Sequence, residues 1–204
     1  MITIVDYGLG NIEAIANIYR RLNIPVAIAS DAQALVNAQR IVLPGVGAFD
    51  WAMARLQASG MRETLDRLVT QDRRPVIGIC VGMQMLARRS DEGHASGLGW
   101  IDADVRLFDD ARFSGPTHLP HMGWNDVQPR PGDPLFAGLE HDARFYFLHS
   151  YYFDPHDPRD ALATADYGGP FCCAVRRDNV MGVQFHPEKS HQWGIRLLQN
   201  FAEL

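Results

Sequence analysis

Residues 74–89 read RPVIGICVGMQMLARR. Val76 to Ile79 form a short apolar run of the kind carried by a strand buried on both faces, and the residues after Gly82 return to helical spacing. Between the two stands Cys80, with Gly78 and Gly82 two positions away on either side. A cysteine on a sharp turn from strand to helix points its sulfur over the end of a sheet, and small neighbours let the backbone turn without clashes. The same turn sets the sulfur at a helix N-terminus, whose partial positive charge favours an anion. Cys80 is therefore a candidate nucleophile. The plainer role of a cysteine, a small buried apolar residue, is assigned to Cys172 and Cys173.

Upstream, strand and helix signals alternate. Ile2 to Val5 read as a strand, and Asn11 to Leu22 as a helix with Ile12, Ile15, Tyr19 and Leu22 on one face. Val26 to Ala29 and Ile41 to Leu43 read as strands, separated by a short helix that Ser30 or Asp31 can cap. FDWAMARLQASG predicts a helix ending near Gly60, and Met61 to Thr70 a turn-rich helical piece. Such alternation predicts an α/β fold with a mostly parallel sheet, helices on both faces, and ligands at the carboxyl ends of the strands. After Ser90 the runs DADVRLF, RFYFLHSYYF, FCCAV and VMGVQF, punctuated by Gly, Pro and Asp, predict an additional strand-rich C-terminal half. A helix over Gly194 to Leu204, with Ile195, Leu198 and Phe201 inward, closes the chain. Without repeats, low-complexity segments or linkers, residues 1–204 are expected to form a single domain.

Composition bounds the function. The 204 residues are 47% hydrophobic and 21% charged, the balance of a globular protein, and no apolar run reaches the roughly 18 residues of a membrane span. A net charge of -5 without Lys/Arg clusters argues against nucleic acid or an anionic membrane as partner, which leaves small molecules or another protein. Three cysteines, two of them adjacent, suggest reduced thiols. With no basic leader at the N-terminus, the first residues are expected to belong to the fold and the chain to be cytoplasmic.

A thiol nucleophile needs a base, and GVQFHPEKS offers one. In an extended segment residues two apart project to one side, and Pro187 is expected to keep this segment extended, so His186 and Glu188 can both approach Cys80. His186 would take the thiol proton and return it to a leaving amine, while Glu188 fixes its tautomer. Acyl chemistry also needs donors for an oxyanion. LPGVGAF leaves the end of a strand with glycines that let backbone N–H groups approach a ligand. One donor is expected from Val46 or Gly47 and the other from Val81. A metal site built from His118, His121, His186 and His191 is weighed and set aside, because HLPH and HPEKSH lack a coherent ligand set.

Elbow, glycine loop and FHPEKS together resemble a class I glutamine amidotransferase domain, a cysteine-nucleophile relative of flavodoxin-like folds. The resemblance runs through DYGLGNI, LPGVGAF, GICVGMQ, LPHMGWN, FYFLHSY and VQFHPEKS, nearly the whole chain. It implies that Cys80 attacks the side-chain amide of L-glutamine to form a glutamyl thioester, releasing ammonia and then glutamate, with His186 and Glu188 completing the triad. By the same resemblance Gln84, the backbone around Ser150 and Tyr151, and the loop glycines Gly45 and Gly47 hold the substrate. No cofactor or metal is implied. The motifs are similar in particular to those of glutaminase subunits that pass ammonia to a cyclase barrel, a heterodimer partner that builds an imidazole ring. Asn11, Trp124, Tyr146 and Lys189 match positions expected to face it. One departure is the bulky His191, Gln192 and Trp193 after HPEKS, which keeps open a sugar amidotransferase of surface-polysaccharide synthesis as the ammonia acceptor. Remoter alternatives are a stand-alone cysteine hydrolase or a chaperone-like protein. A chaperone-like protein would not need His186 and Glu188 at the far end of the chain, nor a peptidase Gln84.

Overall fold

The computed structural model describes residues 1–109, 111, 113 and 119–204. Its spine is a set of short parallel strands, Ile2–Val5 (β1), Val26–Ala29 (β2), Arg40–Gly45 (β3) and Val76–Cys80 (β4), in the spatial order β2-β1-β3-β4. Every residue of β1 and β4 is buried, as their largely apolar runs suit. The chain steps outward from β1 to β2 and then back across β1 to β3. Right-handed crossovers therefore put Ile12–Arg21 (α1) on one face and Ala32–Leu35 (α2), Phe49–Ala58 (α3) and Arg62–Asp66 (α4) on the other. α1 buries Ile15, Ala16 and Tyr19, and Asp31 caps α2 by accepting the Ala34 N–H at 2.8 Å. The turn-rich piece after Gly60 splits into α4 and a π-helical turn over Arg67–Gln71.

The second half extends this sheet. Past the single helical turn Val81–Gln84 (α5) come Arg89–Ser90 (β5), Ala103–Leu107 (β6), His121–Asp126 (β7), Gln128–Pro129 (β8), Arg144–His149 (β9), Tyr151–Pro155 (β10), Ala161–Asp166 (β11), Pro170–Arg177 (β12) and Val180–Val183 (β13). RFYFLHSYYF thus forms two strands that meet at Ser150. The sheet continues β4-β13-β12-β10-β6-β5, antiparallel from β13 to β6, so it is flavodoxin-like and parallel at one side and mixed as a whole. β7 and β9 form a separate two-stranded ribbon. The last helix, His191–Glu203 (α6), begins three residues before the expected Gly194, buries Leu197, Leu198 and Phe201, and leaves Ile195 only half-buried. Among the described residues no helix is long and apolar enough to cross a membrane.

One pairing positions everything that follows. β13, more than a hundred residues after β4, lies parallel beside it with Val183 opposite Ile79. Both strands end at the same edge of the sheet, so the residues just beyond each of them are neighbours.

Candidate active site

Cys80 is the last residue of β4 and adopts φ 56°, ψ -115°. A side-chain-bearing residue tolerates this region only when its surroundings hold it there. The holding is done by close backbone packing. A Cβ on Gly78 would come within 2.5 Å of the Gly82 carbonyl oxygen, one on Gly45 within 2.5 Å of the Gly82 nitrogen, and one on Gly82 would overlap the Leu43 carbonyl. The elbow glycines therefore let α5 press against β3 and β4, while the strained turn itself falls on the cysteine. The sulfur is not exposed as the sharp-turn geometry suggested: Cys80 is only 5% accessible, at the floor of a cleft. The helix after it is also shorter than its sequence spacing predicts, because the chain turns away after Gln84 to reach β5.

Beyond β13 the chain delivers His186. Its N–H donates to the Tyr146 carbonyl at 2.8 Å. The buried Ser190 hydroxyl accepts the Tyr146 N–H at 3.0 Å and donates to the His186 carbonyl at 2.6 Å, clamping the segment to β9. Pro187 does not keep the segment extended. His186 is extended, as a residue before proline must be, but Pro187–Lys189 is a 3₁₀ turn that proline starts well, its fixed φ being helical. That turn brings the Glu188 carboxylate back onto the imidazole, with Nδ1 to Oε1 2.9 Å and both side chains 5% exposed or less. Cys80 and the His186 ring line the same cleft. Burial, the largest cause, would lower the His186 pKa, but the nearby Cys80 and the Glu188 carboxylate together outweigh it and raise the pKa to about 10.

The cleft over the sulfur has a volume of about 300 Å³ and is lined by Val46, Gly47, Val81, Gln84, Ser150 and Tyr151 among others. Val46 and Gly47 form its exposed lip just past β3, Gly47 at φ +85°. Val81 is the first residue of α5, where a backbone N–H has no intrahelical acceptor. Gly45 lies beneath, opposite Cys80 in the ladder. Gln84 uses its amide N–H groups on the Tyr151 carbonyl (3.3 Å) and on Gln184 Oε1 (3.1 Å), which leaves its Oε1 to receive a donor.

Of the four residues expected to face a partner, three lie together, and Lys189 among them lines the cleft. Trp124 is 39% exposed and stands opposite Tyr146 in the ribbon, and Lys189 Nζ lies 5.7 Å from the Tyr146 ring centre. Asn11 is exposed ahead of α1 and is tied to that group by no hydrogen bond or ring contact among the described residues. The bulky residues after Ser190 join that group: His191 stacks on Trp124 at 5.3 Å and Trp193 meets it edge-on at 6.2 Å.

Several residues of the site carried no signal in the sequence reading. Gln184, fully buried, points its amide at Cys80 Sγ from 3.9 Å. Glu92 lines the cleft and accepts the Phe49 N–H at 2.8 Å, capping α3 from another segment, and its second oxygen has no hydrogen-bond partner among the described residues. His149 and Leu148 also line it. The conceivable histidine metal site does not form among the described residues. His121 is bonded to His149, His186 to Glu188, and His118 lies outside the described residues. Cys172 and Cys173 are unbridged, and burial pushes the Cys172 thiol up to about 12.

Residues 3–204 match the family described as Glutamine amidotransferase class-I. Over 204 residues the chain is 60% identical to the imidazole glycerol phosphate synthase subunit HisH of Bdellovibrio bacteriovorus and 48% identical to that of Leptospira interrogans, with 100% of each chain covered in both comparisons. Among solved structures it resembles a glutamine amidotransferase (TM-score 0.74, 16% identity, 100% of this chain and 99% of that one). It also resembles a glutamine amidotransferase from Thermotoga maritima (TM-score 0.63, 18% identity, 99% of this chain and 82% of that one). At these identities the solved structures speak for the fold alone.

Proposed function

The chain belongs to the class I glutamine amidotransferases, and on that premise we propose that it is the glutaminase subunit of an imidazole glycerol phosphate synthase, hydrolysing L-glutamine and passing the ammonia to a cyclase subunit. The observation that carries the chemistry is that Cys80 and His186, the latter paired with Glu188, line one cleft at the shared edge of β4 and β13.

Each residue then has a task set by its place. The glutamine carboxamide sits over Cys80, and the sulfur, its proton already resting on His186, attacks the carbonyl carbon. The oxyanion that forms lies between the Val81 N–H and the lip at Val46 and Gly47, where two donors each supply roughly 2.7–4 kcal/mol. His186, a strong proton holder with Glu188 on its far nitrogen, passes that proton to the departing amide nitrogen, and ammonia leaves. Water, deprotonated by the same imidazole, cleaves the thioester to glutamate and restores Cys80. The outer end of the substrate carries an ammonium and a carboxylate. The free oxygen of Glu92 suits the ammonium, and Gln84 Oε1 and the backbone at Ser150 and Tyr151 supply polar contacts. A working thiol needs a reducing compartment, which fits the cytoplasm.

Trp124, Tyr146 and Lys189 form one group, with Lys189 lining this cleft. A partner docked there would receive ammonia without its passing through solvent. The whole-length relatives favour the cyclase as that partner, and they lend nothing to a sugar amidotransferase. Cys80→Ala is expected to abolish ammonia release from glutamine by the chain assayed with its cyclase subunit, while the complex still makes its product from added ammonium. Glutamine-dependent turnover surviving in that variant would refute the assignment.

A further inference from the structure

The β7–β9 ribbon has two sides. Outward, Met122 stands opposite Leu148 and Trp124 opposite Tyr146; inward, His121 stands opposite His149. The two imidazoles are buried at 4% and 6% exposure, His121 lying between the stacked rings of Phe147 (4.7 Å) and Tyr167 (3.9 Å). Neither residue belongs to the triad.

Their hydrogen bonds determine where each hydrogen sits. The Tyr151 carbonyl can only accept, so His149 Nδ1, 2.8 Å away, carries the hydrogen. In the neutral ring Nε2 is then an acceptor, and it receives His121 Nδ1–H at 2.9 Å. His121 Nε2 accepts in turn from Asn125 Nδ2 at 3.3 Å. The Asn125 amide cannot flip without loss, because its Nδ2 also donates to the Asp166 carbonyl at 2.7 Å and its Oδ1 accepts the Asp126 N–H at 2.8 Å. Donors and acceptors match along the whole line. At the other end the Tyr151 carbonyl also takes the Gln84 amide at 3.3 Å, Gln84 binds Gln184 at 3.1 Å, and Gln184 faces the Cys80 sulfur at 3.9 Å.

We propose that His121 and His149 are positioning residues for glutamine turnover: as a neutral, ordered pair they fix the Tyr151 carbonyl and through it the Gln84 amide, tying the exposed ribbon to the floor of the cleft. The role rests on the glutaminase function above. A pair that merely filled space would need no donor aimed at a cleft-lining carbonyl, since apolar side chains of similar volume fill a core at little cost. Here the donor is aimed at the residue that borders the substrate.

The test is glutamate release by the full chain with its cyclase subunit, measured against glutamine concentration. His149→Leu removes the donor to Tyr151, and KM is expected to rise about tenfold, the equivalent of one lost hydrogen bond, with a smaller fall in kcat. His149→Asn returns an N–H at the δ position and is expected to bring KM back within about threefold of native. His121→Leu should raise KM likewise, and the double leucine variant should add little to either single change, because the two residues act in series. Unchanged KM in the leucine variants, an asparagine variant as impaired as leucine, or fully additive effects would each overturn the proposal. If leucine prevents folding, as judged by thermal melting, His149→Gln carries the test. Its amide sits one bond too far out, so KM should rise in a folded protein, and native KM would refute the role. No turnover by the native complex would remove the reaction itself, whereas native turnover with indifferent variants removes only the pair's role.

Discussion

At the scale of single residues, the site depends on what sits behind the imidazole. Glu188 accepts from His186 Nδ1 with one oxygen, and its other oxygen is buried with no partner among the described residues. Glu188→Gln can keep an acceptor toward Nδ1 but loses the charge that holds the proton on the ring and leaves a buried amide N–H unmatched. kcat for glutamine is expected to fall by about 10²-fold or more with little change in KM; steady-state kinetics showing kcat within threefold of native would contradict this. The inner histidines make a separate prediction about stability. Burial, the largest cause, lowers the His121 pKa to about 4. For His149, burial together with the nearby His121 and His186 prevails over the Tyr151 hydrogen bond and lowers the pKa to about 3. Both folded values lie below the ordinary 6.5, so below pH 6.5 the unfolded chain binds protons that the folded chain refuses. Their contribution to stability is complete above pH 6.5 and is lost as pH falls through 4 toward 3. The melting temperature should drop by roughly 3–6 °C more between pH 6.5 and 5 in the native chain than in His149→Asn. Parallel profiles for the two would show the pair is not buried neutral.

At the scale of elements, the elbow is a packing problem before it is a chemical one. β3, β4 and α5 approach so closely that Gly82→Ala would drive a methyl into the Leu43 carbonyl, backbone that cannot move aside. It is expected to cost about 2–3 kcal/mol, lowering the melting temperature by roughly 5–10 °C. At Gly47 a Cβ meets nothing, so Gly47→Ala carries only the strain of a positive φ, about 1 kcal/mol. Differential scanning calorimetry showing equal losses in the two variants would contradict this account of the elbow. Elements whose signal is local were legible in the chain: β1, α1, β2, a cap at Ser30 or Asp31 (the structure uses Asp31), α3 and β4 follow from apolar periodicity and capping residues. The length of α5 was not, because MQMLARR has helical spacing and the turn after Gln84 is imposed by the strand it must reach. Nor was the 3₁₀ turn after His186, where Pro187 starts a turn as readily as it extends the residue before it.

At the scale of the whole molecule, the decisive contact is the least local. Nothing near Val180–Val183 announces that this strand will slot beside β4, yet that pairing carries His186 from near the chain's end to Cys80. Cys80, His186 and Glu188 were nameable from their motifs, while Gln184, Glu92 and the His121–His149 pair became visible only once distant strands were side by side. In their own segments they are a residue just past β13, a loop acid and two ribbon histidines. Trp124, the stacked His191 and Tyr146 show the same principle, since strands β7 and β9 and the start of α6 converge on one exposed aromatic group. The measurement that tests the central claim most directly is mass spectrometry of the chain quenched in acid during glutamine turnover with its partner. A glutamyl adduct is predicted on the peptide holding Cys80, absent from those holding Cys172 and Cys173, and lost when His186 is replaced by alanine. Turnover without an adduct on Cys80, or an adduct that forms as readily without His186, would contradict it.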